Sequence, residues 1–210
     1  MLARSGRGMP VDLRDWAIEP KWDGWRCLAR IDCEGVRLVS RWRNDLTAMF
    51  PDLQVPPAEL AGRRVLLDGE IVALRTDGSQ DFHALTRKGR ASTRLAFMCF
   101  DALHVDGREL IHEAYAERRC ALEELHLKQA RWLTTPSLRG DAGAALYAFT
   151  RDQGWEGVVA KRLGSPYLPA SRDGPWLKAK HPHARDLQVE RADWSIHGRE
   201  RVAGPLISYA

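Results

Sequence analysis

Apolar residues along this chain gather in short runs of strand length, separated by polar or glycine-marked breaks, with helical spacing in two places. Residues 26–31 and 36–40 are two such runs, joined at Glu34-Gly35 in the pattern of a hairpin. Residues 65–74, "VLLDGEIVAL", form a longer run interrupted only by Asp68-Gly69-Glu70. Residues 95–105, "LAFMCFDALHV", form another, ended by the turn signal Asp106-Gly107. Across 114–127 the apolar Tyr115, Leu122, Leu125 and Leu127 alternate with charges at helical spacing. A second helix is predicted from Asp141, suited to cap it, to Gly154, suited to stop it. Strand-like runs follow at 157–163 and 176–179. No internal repeat or low-complexity segment is present. Strands outnumber helices and hairpins mix with helices, so the pattern predicts an α+β fold of largely antiparallel sheets.

The pattern changes after His181-Pro182-His183. "DLQVERADWSI" and "GPLISYA" read as two strands around a polar turn. Two strands alone are marginal and need a surface to pack on. The predicted organisation is a main domain over 1–183 and an extension over 184–210, docked on that domain or opening a second one.

Charges fall inside these apolar runs, where burial is predicted. Lys21 and Asp23 precede one strand, Glu70 interrupts another, and Asp101 follows Phe100 in a third. Glu156 and Lys161 bracket "GVVA", while Lys178 and Lys180 alternate in "WLKAK". Any one of these could be a strand end facing water. Lys178 and Lys180, two apart, share a sheet face and repel each other unless an anion sits near them. Burying unpaired charges costs several kcal/mol each, so their recurrence points to a shared polar ligand. A polyphosphate with a metal ion is the economical candidate.

Composition adds limits. The 210 residues are 44% hydrophobic, enough for a sizeable core, and suit one large domain or one domain with an extension. A net charge of +4 and a pI near 9.0 permit nucleic-acid binding without requiring it. Cys27, Cys33, Cys99 and Cys120 lack C-x-x-C spacing and sit among apolar residues, which reads as four reduced core residues of a cytosolic protein rather than a disulfide or zinc set. No stretch approaches 18 apolar residues, and the N-terminus lacks a signal-peptide core. The expectation is a soluble cytoplasmic protein with no membrane partner. The seven histidines form no metal pattern, and His181-x-His183 reads as a solvated strand end.

One composition detail singles out a residue. Only six of the 32 basic residues are lysines, and four of those six, Lys21, Lys161, Lys178 and Lys180, lie in the strand-like segments. Had charge alone been required, this chain's habit would have supplied arginine. Lysine differs because it can lose its proton and attack as a nucleophile. Holding an ordinary lysine neutral at pH 7 costs roughly 4 to 5 kcal/mol, which neighbouring cations reduce.

The ordered series "EPKWDGWR", "SRWRND", "LLDGEIVA", "FMCFDALHVDG", "EGVVAKR" and "WLKAK" resembles the motifs of covalent nucleotidyltransferases. It looks most like the adenylation domain of bacterial ATP-dependent DNA ligases, including those joined to end-joining repair polypeptides. K-x-D-G alone is a weak signal; six motifs in order, from Glu19 to Lys180, are a strong one. "YAERRCALEEL" and "SPYLP" extend the likeness to nearly everything before His183. The resemblance implies an ATP-grasp-like nucleotidyltransferase fold whose extension resembles the start of an oligonucleotide-binding barrel.

It also implies roles. Lys21 matches the nucleophile that attacks the α-phosphate of ATP to give lysyl-AMP. Glu19 matches an acceptor at the adenine edge, and Phe100 the aromatic ring that stacks on the base, although Phe100 on its own reads equally as core. Arg26 and Glu70 match ribose contacts, and Arg41 a phosphate contact near the nick. Glu156, with Glu70, matches the carboxylates that hold Mg²⁺ or Mn²⁺. Lys178 and Lys180 match the pair that binds the α-phosphate, and Asp23 and Lys161 match supporting positions. Trp42 stands where many relatives carry a smaller polar residue.

The implied activity is nick sealing. AMP passes from Lys21 to a 5′-phosphate in nicked double-stranded DNA, and the 3′-hydroxyl displaces it. The implied state is a monomer, with other end-joining or repair proteins as partners. Full relatives continue into a barrel whose last motif orients the pyrophosphate, and no Arg-x-Asp-Lys-like segment follows Lys180. A fragment, a stand-alone domain and a decayed copy are the three readings. The expectation is slow self-adenylation and poor sealing by this chain alone. An RNA ligase and a GTP-using capping enzyme share the covalent lysine and remain as rival enzymes. A non-catalytic module that binds DNA ends or a repair partner is the rival of another class, for which damage to Lys21 or Glu156 would be expected.

Overall fold

A computed structural model describes residues 1–6, 8–85, 93–129, 131–171 and 174–182. The predicted strands after His183, and His183 itself, lie outside the described residues.

In chain order the strands are β1 (Arg4–Ser5), β2 (Trp16–Pro20), β3 (Trp25–Asp32), β4 (Gly35–Ser40), β5 (Val65–Leu74), β6 (Arg94–Val105) and β7 (Arg108–Glu109). Helix α1 (Tyr115–Glu123), β8 (Lys128–Gln129), β9 (Trp132–Thr134), α2 (Gly140–Asp152), β10 (Gly157–Arg162) and β11 (Trp176–Lys180) follow. One sheet runs β1-β11-β10-β2; the other runs β4-β3-β5-β6-β9-β8, with β7 paired to β6. Pairing is antiparallel except for β1 with β11 and β6 with β9, so the expected α+β class with largely antiparallel sheets is what forms.

The long predicted strands appear where the apolar runs place them. The predicted hairpin is β3-β4, but it turns at Cys33-Glu34, one residue before the predicted junction, because Asp32 already faces Gly35. Asp106 and Gly107 both have positive φ, 48° and 92°, and join paired β6 and β7, the geometry a two-residue hairpin requires. Helix α1 stops at Glu123, short of the predicted Leu127, although Leu125 and Leu127 still bury their side chains. Asp141 does not cap α2: Arg139 holds that position, and Asp141 lies in the first turn, where a carboxylate still favours the helix dipole.

Period-two alternation decides how the sheets face each other. In the smaller sheet Ile18, Val158, Ala160 and Ala179 form an apolar cluster with Leu146 and Tyr147 of α2. Glu19, Val159 and Lys178, paired across three strands, line a cavity on the opposite face. In the larger sheet Ala29, Ile31, Leu67, Ile71, Phe97 and Cys99 build the main core with Leu122 and Leu125. Cys27 joins that core, but Cys33, in the β3-β4 turn, and Cys120, on the outer side of α1, are exposed, against the expectation of four core cysteines. A further cluster of Met1, Leu103, Tyr167 and Trp176, with Leu66, Phe100 and Val159, joins the facing sides of the two sheets.

Local irregularities aim the cavity side chains. Between Asp68↔Asp101 and Gly69↔Cys99 the register of β5 and β6 slips, leaving Phe100 as an extra residue on β6. A bulge of this kind re-aims a side chain, and here Phe100 reaches the cavity. Gly69 is required beside it, since a Cβ there would lie 2.6 Å from the Phe97 ring.

Candidate active site

The cavity encloses about 590 Å³ and is walled by both sheets. Glu19 comes from the smaller sheet, Arg26, Glu70 and Phe100 from the larger one, and Lys178 from β11. Lys21 follows β2 directly, and Arg41 follows β4. Seven residues chosen from sequence thus meet around one space. Trp176, Val159 and the N-terminal segment through Ser5 also line it, with β1 held in place by pairing to β11. No sequence pattern marked that segment as part of a site.

Lys21 Nζ is bonded to Glu156 Oε2, and Lys180 Nζ reaches Glu156 Oε1 at 2.7 Å. Burial alone would raise the Glu156 carboxyl, but hydrogen bonds from Lys180 and Lys21 outweigh it and hold that carboxyl below its ordinary range. The Lys21 backbone N–H also donates to Gly157 O at 2.9 Å, so the turn carrying the amine is pinned to the start of β10. Gly157 is necessary there: its φ is 138°, and a Cβ would sit 2.1 Å from Ala179 O. Trp22 and Trp155, the neighbours of Lys21 and Glu156, pack with ring centres 5.4 Å apart and planes tilted by 41°.

In the cavity wall, Glu19 is nearly fully buried and receives Lys161 Nζ at 2.7 Å and the Tyr115 hydroxyl. Lys161 also donates to Phe100 O at 2.7 Å and lies between 4.2 and 4.9 Å from the centres of the Trp176, Phe100 and Tyr115 rings. Burial pulls the Lys161 ammonium down from its usual range, and Glu19 opposes that pull. Lys161 therefore ties the smaller sheet to the Phe100 bulge rather than lining the cavity.

Arg26 holds Asp68 with a two-pronged contact of 3.1 and 2.6 Å, and Tyr167 donates to the same carboxylate at 2.7 Å. Arg26 borders the cavity with part of its fork already engaged. Glu70, directly opposite Arg26 on β5, is half-buried. Desolvation pushes its carboxyl up to about 8, against the pull of Lys21 and Arg26. At neutral pH it is mainly a protonated acid, able both to donate and to accept hydrogen bonds. Asp23 is exposed outside the cavity, its backbone N–H donating to Gln80 Oε1 at 2.7 Å.

Sequence reasoning placed all the strand charges at one ligand. Asp101 is a correction: it is fully buried and paired with Arg118 at 2.8 and 2.9 Å, away from the cavity lining. Tyr115, Arg118 and Arg119 were missed. Their signal was present, since 115, 118, 119 and 122 share one helix face and two of those inward positions are arginine. Among the described residues no three His, Cys, Asp or Glu side chains gather into a metal cluster. Mg²⁺ binds through one or two carboxylates plus substrate phosphates, so a three-carboxylate cluster is not required; Glu70 lines the cavity, and both oxygens of Glu156 hold Lys21 and Lys180.

Residues 1–180 match the family model described as the ATP dependent DNA ligase domain. The chain belongs to that family. A multifunctional non-homologous end joining protein LigD from Mycobacterium bovis is 40% identical over 207 residues, covering 99% of this chain and 27% of that protein. A probable DNA ligase of Streptomyces avermitilis is 36% identical over 196 residues, covering 87% of this chain and 38% of the relative. This ligase-family chain therefore spans about a quarter to two-fifths of these relatives. The crystal structure of the ligase domain from M. tuberculosis LigD superposes with a TM-score of 0.73 at 42% identity, covering 86% of this chain and 60% of that one. A mycobacterial DNA ligase D complexed with ATP and MES gives the same TM-score at 40% identity. The nucleotidyltransferase fold implied by the motifs is thus the fold of this family member.

Proposed function

We propose that this chain carries out the adenylation chemistry of an ATP-dependent DNA ligase, with residues 1–183 as the adenylation domain and 184–210 as the start of an oligonucleotide-binding barrel. The observation that carries the reading is Glu156 bonding both Lys21 and Lys180 at a cavity with Phe100 and Glu19 in its walls. The Lys21 amine, freed of its extra proton, attacks the α-phosphorus of ATP. An N–P bond forms as the P–O bond to pyrophosphate breaks. Lys178 and Lys180 supply positive charge to the crowded α-phosphate oxygens. Phe100 stacks on the adenine, Glu19 accepts at its edge, and Arg26 with the protonated Glu70 meets the ribose hydroxyls. Glu156 and Glu70 would hold Mg²⁺ or Mn²⁺, whose charge would favour the ionised form of Glu70 in place of its protonated one and would add positive charge at the phosphates. Lys161 positions Glu19 and Phe100, and Asp23 supports the Lys21 turn.

AMP then moves from Lys21 to the 5′-phosphate of a DNA nick, with Arg41 at that phosphate, and the 3′-hydroxyl displaces AMP to seal the strand. The relatives named for end joining and DNA repair favour nicked double-stranded DNA as the substrate and repair proteins as partners; the enzyme itself we read as a monomer of the cytoplasm.

The test is direct. The chain is incubated with α-labelled ATP or GTP and Mg²⁺, denatured, and examined for protein-bound label. Label from ATP that vanishes in Lys21→Ala is expected. Label from GTP alone would move the reading to a capping enzyme, and label from neither would leave a binding module. Nicked DNA compared with nicked RNA duplex then fixes the substrate.

A further inference from the structure

The turn after β4 carries a side chain that neither the core nor the cavity uses. Trp42 is 68% exposed, an unusual position for an indole, between the exposed Arg41 and Arg43. The turn that presents it is tightly held. Ser40 Oγ accepts the backbone N–H groups of Trp42 and Asn44 at 3.3 and 3.0 Å. Ser40 N–H donates to Asn44 O, and Arg43 N–H to Ser40 O, both at 2.9 Å. Arg43 takes a left-handed φ of 66°, and Val39 bridges to Asp45 below. The backbone presenting the ring is thus already ordered before any partner arrives.

Arg41 connects this turn to the cavity. Its guanidinium lies 4.8 Å from the Trp42 ring centre, and the same residue lines the cavity wall. The indole has an arginine against it, with most of its remaining surface open to solvent. A rigid aromatic surface with one guanidinium against it and a second exposed arginine next in the chain suits a polyanion with flat faces. Phosphates meet the arginines, and a base or sugar meets the ring. An apolar protein partner would gain nothing from the flanking cations, so this chemistry favours nucleic acid.

We propose that Trp42 is a nucleic-acid contact that packs against a base or sugar of the strand lying beside the cavity, next to the phosphate held by Arg41. The inference rests on the DNA-ligase reading for the identity of the strand. It assigns Trp42 to substrate binding and leaves ATP chemistry to the cavity.

The test uses the full 210-residue chain and a nicked duplex bearing a 5′-phosphate, with binding followed by fluorescence anisotropy of labelled DNA at low and moderate salt. Trp42→Ala is expected to weaken binding about 10-fold. Trp42→Phe, which keeps a flat ring, is expected to recover most of it. Both variants should melt with the wild type and form lysyl-AMP at its rate, because the ring packs into neither core nor cavity. Undiminished DNA affinity in Trp42→Ala overturns the proposal and leaves the turn to a protein partner. Absence of binding by the wild-type chain at low salt overturns it as well. Wild-type chain that binds the duplex through Trp42 but takes no label from ATP would instead refute the ligase reading and leave this contact standing.

Discussion

Lys21 Nζ is bonded to the Glu156 carboxylate across 135 residues of chain, and the other oxygen of that carboxylate holds Lys180. One acid thereby fixes the position of the amine and of a second cation beside it. Arginine could keep this ion pair but could not attack phosphorus, since it does not give up its proton. Lys21→Arg is expected to retain fold and melting temperature while losing protein-bound AMP by about 10³-fold or more, roughly 4 kcal/mol. Covalent label from ATP in the purified Lys21→Arg variant would remove Lys21 from the nucleophile's role.

Glu156→Gln leaves two ammonium groups without their shared anion. Adenylation should fall roughly 10- to 100-fold, and the melting temperature should drop at pH 7. The pH sign follows from the depressed Glu156 carboxyl. Its stabilisation is complete above the unfolded value of about 4.3 and is lost as pH falls through the lower folded value. The stability gap between wild type and Glu156→Gln should therefore close in acid, which urea unfolding at pH 7 and below pH 4 measures.

Glu70 has the opposite sign. Its carboxyl is raised to about 8, so the folded state holds a proton that the unfolded state has released above about 4.3. Its contribution therefore becomes destabilising as pH rises from that value, reaching its full size above about 8. Glu70→Gln should remove that part of the decline. Chemical denaturation at pH 5, 7 and 9 is the check; equal pH slopes for both proteins would contradict the assignment.

Arg118 and Asp101 are fully buried and joined by two parallel hydrogen bonds, with Arg118 also donating to Glu113 O and Ser165 O. Removing one partner strands a buried charge. Asp101→Ala should cost roughly 3 to 5 kcal/mol of unfolding free energy, and Arg118→Met combined with it should recover part of that loss. A loss under about 1 kcal/mol in urea titration would be the size of an exposed pair and would refute this account.

How much of this was legible along the chain depended on the range of the forces involved. Strands β5 and β6 could be read directly, because a long apolar run with turn residues at its end has few other folds. Strands β1, β8 and β9, two or three residues each, could not, since they exist only through pairing with β11 and β6. Lys21, Glu156 and Lys178 stood out as charges in apolar surroundings. Asp101 gave the same signal for a different reason, as half of a structural pair. Arg118, its partner, shares a helix face with the apolar Tyr115 and Leu122, a signal in the sequence whose meaning only the packed helix supplies.

The sequence by itself determined the family, the class of sheet and the choice of lysine over arginine at position 21, because these rest on local pattern and on side-chain chemistry. Tertiary structure alone decided which charge meets which. Ion pairs act over a few ångströms, whereas the partners here lie up to 142 residues apart, as Glu19 and Lys161 do. Glu19 and Lys161 meet because β2 and β10 pair in one sheet, and Arg26 and Asp68 because β3 and β5 pair in the other, neighbours that only the folded topology creates.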